Sequence, residues 1–538
     1  MGRSTLPSLR SSGVLSGYLP LLRRLPPLVG GLLLFLYTLF FVYRAVVALV
    51  YPYPIAYGEG PVFYEASQLF HHDFNPAFLY LANTSPPYQA AIYPPLFYYL
   101  NSLLMWLTGP TSLLAGRLLT ILAAAYLGFR LFRVARKEEV APGRRARLGL
   151  SLAAAATPFA TAALYTWGVL AQGTLLAFCL SFSAVINIWQ AESERRHKKG
   201  AGTYILAGFL CALALLCQQT AVAAPLAILI YLGLGLRWRE VGQFIAAFFG
   251  LFLLISLVFQ FWTGDNYLKH VTAFTGVTFD LGTVWSGIGY IILGHVVLLA
   301  LAGAWVARPL VGRFERVDLW RIYFLIALVV ALLTGNLLEN SYALESLCLT
   351  SLLAWWQVGR LIALRTEWRI FSFRPQVAPL ALTLIAAQLL FLWHVPGLAD
   401  NGQTPGLDRA DQAKQVASQL REVANRGPLL AENSGWLAAT GLSTDLDDPR
   451  SFGELALHNA WDNRLFQGRL EAGYYKTVVF EIAQADLSEA ALEKAYTANT
   501  ATPAPGHFEP AAWQIIQDRT KFTPLKRIGR WVFLAWKS

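Results

Sequence analysis

Tyr57-Gly58-Glu59-Gly60 sets one carboxylate between two glycines, a few residues past the first long apolar stretch. A carboxylate at a membrane–water boundary, with flexible backbone on either side, can accept the proton of an incoming hydroxyl. The competing reading is that Glu59 caps the helix that follows, where negative charge meets the positive helix end. Glu65 lies six positions on and would face the same way if 60–70 is helical, and Asp73 and His71-His72 close that segment. A second kind of signal is basic. Arg44 and Arg117 fall inside apolar stretches, where a charge is expensive unless it is paired or functional. Both match the depth of a lipid phosphate, which a guanidinium can hold with two nitrogens. The alternative is a side chain that snorkels to the headgroups. Lys269 and His270 are further polar candidates, as are Asn336, Glu339, Asn340 and Glu345.

The elements that position these groups are membrane helices. A chain of 538 residues that is 56% hydrophobic and 14% charged is not an ordinary soluble domain. A bilayer core about 30 Å thick needs roughly 20 apolar residues per helix. About eleven such stretches are expected, at 28–50, 112–132, 149–166, 169–189, 202–220, 222–236, 242–262, 285–306, 322–337, 342–360 and 377–395. The aromatic run from Tyr93 to Leu107 is short and opens on Pro94-Pro95. Counting it as a crossing would invert every later loop, so it is read as a helix lying on the outer surface. The first loop, 51–111, then carries two surface helices, near 60–70 and 96–106.

Lys and Arg give the orientation. They cluster at Arg3–Arg24, Arg130–Arg147, Arg195–Lys199, Arg237–Arg239, Arg308–Arg321 and Arg360–Arg374, whereas Tyr51 to Thr111 holds none and Lys269 stands nearly alone. Basic residues favour the cytoplasmic side, so the N-terminal segment is expected inside and everything after Trp393 outside. The +11 net charge is therefore topology and anionic-lipid contact, with no nucleic-acid partner implied. Cys179, Cys211, Cys217 and Cys348 all fall in expected spans and fit no metal site. The expected layout is a cytoplasmic segment 1–27, a transmembrane domain 28–396 and an exterior α/β domain 397–538. In the last, Arg409–Arg426 reads as an amphipathic helix, with strands at Pro428–Glu432, Lys476–Glu481 and Arg530–Leu534, and Thr497–Pro505 as a loop.

The order of first helix, Glu-bearing loop, Tyr93-Pro94-Pro95-Leu96-Phe97-Tyr98-Tyr99 surface helix and Ala115-Gly116-Arg117-Leu118-Leu119 opening the next span resembles the GT-C superfamily. These are polytopic glycosyltransferases related to protein mannosyltransferases and the lipid A aminoarabinose transferase. More narrowly, Tyr51–Gly60, Gln219–Pro225 and Asn340–Glu345 are similar to the signature segments of a largely uncharacterised bacterial group. The resemblance covers roughly 28–395. It implies a sugar donor on a polyprenyl phosphate and transfer on the outer face to a glycan, lipid or protein acceptor. Glu59 would be the base. Arg117 and Arg44, with Tyr57, Glu65, Lys269, His270 and Glu345, would line the substrate and lipid-phosphate site. Ala56 stands where that group has Asp, Leu170–Thr174 lacks an Arg-x-Asp triplet, and Gln218 replaces a Lys. No cofactor and no catalytic metal are therefore expected. The missing charges keep two other classes in view: a non-catalytic GT-C-like scaffold subunit of a membrane complex, and a lipid-linked sugar transporter. The latter usually shows repeat symmetry, which this chain lacks.

Overall fold

The computed structural model describes residues 13–138, 143–193, 202–273, 281–308, 316–334, 343–364, 377–394, 407–457, 461–482 and 508–537. Asn336, Glu339 and Asn340, the basic run 195–199, the loop 497–505 and the expected boundary at 396 lie outside these residues.

Every expected span overlaps at least one helix among the described residues. In order they are α1 (Gly13–Val50), α4 (Leu114–Lys137), α5 (Arg144–Ala156), α6 (Ala162–Trp167), α7 (Thr174–Ser193), α8 (Gly202–Cys217), α9 (Ala223–Leu234), α10 (Trp238–Trp262), α12 (Leu281–Val306), α13 (Arg316–Leu333), α14 (Leu344–Leu364) and α15 (Val377–His394). Five of them, in α1, α4, α7, α10 and α14, are long and apolar enough to cross a membrane, and four shorter apolar helices accompany them. The span expected at 149–166 is broken. A 3-10 turn, Thr157–Ala160, separates α5 from α6 because Pro158 removes a backbone donor there. At 1.5 Å per residue, α9 measures about 18 Å, well short of the bilayer core.

The helices pack around a chain of indoles. Trp189 on α7 meets Trp320 on α13 edge to face, Trp320 meets Trp356 on α14, and Trp356 meets Trp305 on α12. The first loop forms α2 (Glu59–His71) and α3 (Leu96–Thr108) as expected, and α11 (Asn266–Val271) follows α10. Ser102 ties α3 to α2 by donating to the Ala66 carbonyl.

The C-terminal segment is three-layered. Its elements are α16 (Leu407–Ala424), β1 (Leu429–Ala431), α17 (Ser434–Thr440), α18 (Pro449–Leu457), α19 (Arg464–Glu471), β2 (Thr477–Glu481), α20 (Pro510–Gln517), β3 (Phe522–Ile528) and β4 (Trp531–Trp536). The sheet order is β1-β2-β4-β3, with β1 and β2 parallel and the other pairs antiparallel. Strand side chains alternate faces. Val478 and Phe480 therefore pack with Phe452, Phe466 and Ile516, while Val479 packs on the other side with Val416, Leu420 and Trp436. Strand β3 was not expected. Its alternation is masked by Pro524, Lys526 and Arg527, and its register shifts between Pro524 and Lys526, as suits an edge strand. First-loop residues enter both of these cores: Tyr88 and Ala90 on one side, Tyr51 and Tyr53 on the other.

Candidate functional site

Glu59 is the first residue of α2, yet its carboxylate does not cap that helix. It turns back toward α1 and α4. Oε1 accepts from Arg117 Nε at 2.7 Å and from the Ala171 N–H at 2.9 Å. Oε2 accepts from Arg117 Nη2 at 2.7 Å and from the Ile55 N–H at 2.9 Å. The guanidinium is equally occupied. Nη1 donates to the Ala48 carbonyl at 2.6 Å and to that of Tyr51, and Nη2 donates to Tyr53 O at 2.7 Å. All five N–H groups of Arg117 are thus spent, on one carboxylate and on the carbonyls where α1 ends, the negative end of that helix. Neither side chain has any exposed surface. The structure therefore brings together the two residues the sequence singled out, as a saturated pair with no donor left for a phosphate.

The flanking glycines serve packing, which corrects the expectation of flexible backbone. Gly58 has an ordinary φ of −63°, and a Cβ on it would sit 2.8 Å from Gln172 Nε2. A Cβ on Gly60 would collide with Asn433, and Gly435 abuts the Gly60 backbone. Side chains crowd the loop from both sides.

Glu65 does not face the way Glu59 does. Six helical positions turn about 240°, which leaves the two roughly 120° apart. Glu65 instead points at Asp447, which precedes α18, and both are buried. Asp447 Oδ1 accepts from the Ala90 N–H at 2.8 Å and the Asp448 N–H at 2.6 Å, while Oδ2 meets no hydrogen-bond donor. Burial, then the neighbouring Asp448 charge, pushes Asp447 up to about 7. Burial, then the Asp447 charge, pushes Glu65 well above the usual carboxylate range. Tyr57 donates its hydroxyl to Asp448 Oδ1 at 2.7 Å and accepts the Arg450 N–H at 3.2 Å. Burial and the Asp448 charge hold that hydroxyl well above its ordinary value, so it remains a donor.

The remaining candidates disperse. Arg44 is 2% exposed and lies over the Tyr165 ring at 4.8 Å, so it faces the helix core rather than the headgroups. His270 is buried; its Nε2–H donates to Leu81 O at 2.6 Å, and its ring lies 5.1 Å from Trp461. Burial pulls it down to about 4, which leaves it neutral. Lys269 is exposed. Glu345 accepts from the Tyr323 hydroxyl and lines a cavity of about 30 Å³ with Thr174, Gln218 and Thr220. Leu170–Thr174, Gln218, Gln219–Pro225 and Asn340–Glu345, all quoted above, thereby send residues to one cavity, whose remaining lining is apolar (Ala177, Phe178, Ala327 and Val330). Among the described residues, no group of three His, Cys, Asp or Glu could hold a metal ion. Sequence reasoning missed Asp447 and Asp448. The run Asp445-Leu446-Asp447-Asp448 was a visible signal, but its first-loop partners are set by tertiary contact alone.

No family model matches the chain, and no curated protein does. Among solved structures, ArnT from Cupriavidus metallidurans in the apo state is similar at TM-score 0.56 and 13% identity, covering 93% of this chain and 97% of that one. The same protein bound to undecaprenyl phosphate gives 0.51 and 13% over the same shares. The Archaeoglobus fulgidus oligosaccharyltransferase in its apo form gives 0.45 and 12%, covering 88% of this chain and 72% of that one. The match with ArnT extends over nearly the whole of both chains, and it shows that this chain has the GT-C fold.

Proposed function

We propose that the chain is a membrane glycosyltransferase that takes a sugar from a polyprenyl phosphate and hands it to an acceptor hydroxyl at the outer face of the membrane. The observation that carries this reading is the buried Glu59–Arg117 pair at the foot of the first loop, in a fold shared with a protein that binds undecaprenyl phosphate. Arg117 already grips an oxyanion with two nitrogens. A lipid phosphate offers the same geometry with more charge, so it can exchange with the carboxylate. Glu59, once released, is a free base beside the reacting centre. The acceptor oxygen then bonds to the anomeric carbon as the bond from that carbon to the phosphate oxygen breaks. The hydroxyl proton passes to Glu59, and Arg117 stabilises the charge on the departing lipid phosphate. Here the N-terminal segment is cytoplasmic, and residues 397–538 form an exterior domain over the transmembrane part. The distribution of Lys and Arg supports that orientation.

One observation favours a second reading. A pair with every donor and acceptor filled also suits a non-catalytic scaffold that binds lipid-linked sugar or a membrane partner. The deciding experiment is consumption of polyprenyl-phosphate sugars by the protein in lipid nanodiscs, wild type beside Glu59→Gln. Turnover present in the first and lost in the second supports the transferase. Donor binding without turnover, equal in both, supports the scaffold. Absence of donor binding sinks both.

A further inference from the structure

The backbone around Glu59 is gripped from the far end of the chain. Tyr57 reaches Asp448, 391 positions on, and Tyr64 bonds both the carbonyl (3.2 Å) and the N–H (3.1 Å) of Thr444. Tyr88 forms a parallel bridge with Leu446, and the Ala90 N–H donates to Asp447. Gly60 rests on Gly435, and the Tyr53 ring stacks on Trp436 at 4.8 Å, 7° from parallel. Residues before and after Glu59 are therefore pinned by the C-terminal unit, with Thr444–Arg450 as its edge.

At the centre of this junction two acids meet where opposite charges would be expected. Glu65 is 2% exposed and Asp447 fully buried. Among the groups facing them are Tyr98 on α3, Tyr80 behind it, Tyr64 on α2, Asp448 with Tyr57 on it, and Asp445, which pairs with Arg469. None of these is a cation free to neutralise the pair. Two carboxylates in a buried site cannot both keep a charge, and the economical solution is one proton between them.

We propose that Glu65 and Asp447 share a single proton, that this proton fastens the C-terminal unit onto the first loop, and that Tyr57 and Asp448 are positioning residues for Glu59. The fastening stands whether or not the chain transfers sugar; only the word positioning rests on the proposed base. Undocked, both acids face water and release their protons near 4. Docked, Asp447 holds its proton up to about 7 and Glu65 is displaced the same way. The docked state thus binds more protons. Docking is at full strength below about pH 4 and weakens as pH rises, by up to about tenfold per unit for one proton, until it passes about 7.

The test is hydrogen exchange of the full-length protein in nanodiscs from pH 5 to 9, corrected for the intrinsic exchange rate, at backbone amides 57–65 and 88–90. Wild-type protection should fall at least tenfold across that range. Glu65→Gln keeps a hydrogen on that side at every pH and should flatten the profile. Asp447→Asn should do so independently, so a folding failure of one variant leaves the other. Flat wild-type protection, or a folded neutral variant with the wild-type pH dependence, would overturn the proposal. Where turnover is measurable, Glu65→Gln should move its alkaline limit upward by a unit or more while leaving the acid limb in place. Turnover absent from every form, with the exchange pattern intact, would sink the transferase reading and leave the shared proton standing.

Discussion

Two buried pairs lie less than two helical turns apart on α2 and solve the same problem in opposite ways. Glu59 accepts four N–H bonds, two of them from a guanidinium; Glu65 faces another acid. Both carboxyl groups are nearly or completely out of water. Burial alone, then, does not fix a carboxylate's chemistry. A guanidinium and two backbone N–H groups fill the hydrogen bonds of the first group, while burial and a like-charged neighbour push the second well above the usual carboxylate range. The first pair joins α2 to α4, and Arg117 ties both to the end of α1. The second joins the first loop to the C-terminal unit, so that junction should respond to pH.

Breaking the first pair should give the largest effect. Arg117→Met strands a buried carboxylate and leaves the α1 carbonyls without donors, so a loss of about 3–5 kcal/mol is expected in denaturant titration of the detergent-solubilised protein. Adding Glu59→Gln to that variant should recover part of the loss, since the stranded charge is gone. If the single variant melts like wild type, the pair contributes no structural stability. Neutralising the second pair sharpens the contrast. Glu65→Gln should match wild type near pH 5 and exceed it by about 1–2 kcal/mol at pH 8, because only the wild type has a proton to lose in that window. Equal stabilities at pH 8 would argue against any proton-linked difference. The smallest effect belongs to Lys269→Ala, which should change stability by less than about 0.5 kcal/mol, since the side chain is exposed. A larger change would mean that Lys269 has a role at the rim of the first loop.

The contrast also explains what could be read from the sequence. Apolar runs are local signals, so each expected span overlaps a helix, and so do the two surface segments of the first loop. The break at Pro158 and the edge strand β3 were overlooked because each departs from a simple period for a local reason. Glu59 and Arg117 were individually visible as charges where charges are costly. That they face each other could not be read from types and spacing, because the contact joins positions 58 residues apart. Glu65 was visible too, but its supposed alignment with Glu59 failed on helical geometry. Asp447 and Asp448 sit in an acidic run that is visible in the sequence, but only the docking of that turn onto Tyr57 and Ala90 makes them buried.

The separation of Tyr57 from Asp448 has a consequence for how the molecule is made. At ribosomal rates of about 5–20 residues per second, 391 positions take roughly 20–80 s to synthesise. Glu59 can meet Arg117 within seconds of insertion, but the outer face of α2 must wait for the last quarter of the chain. During that interval Gly60, Tyr57 and Glu65 lie uncovered, and α2 has only α3 and α4 to hold it. A ribosome stalled or a message truncated before residue 448 would leave a membrane-inserted product with its ion pair closed and its first loop open. That is a recognisable substrate for quality-control proteases.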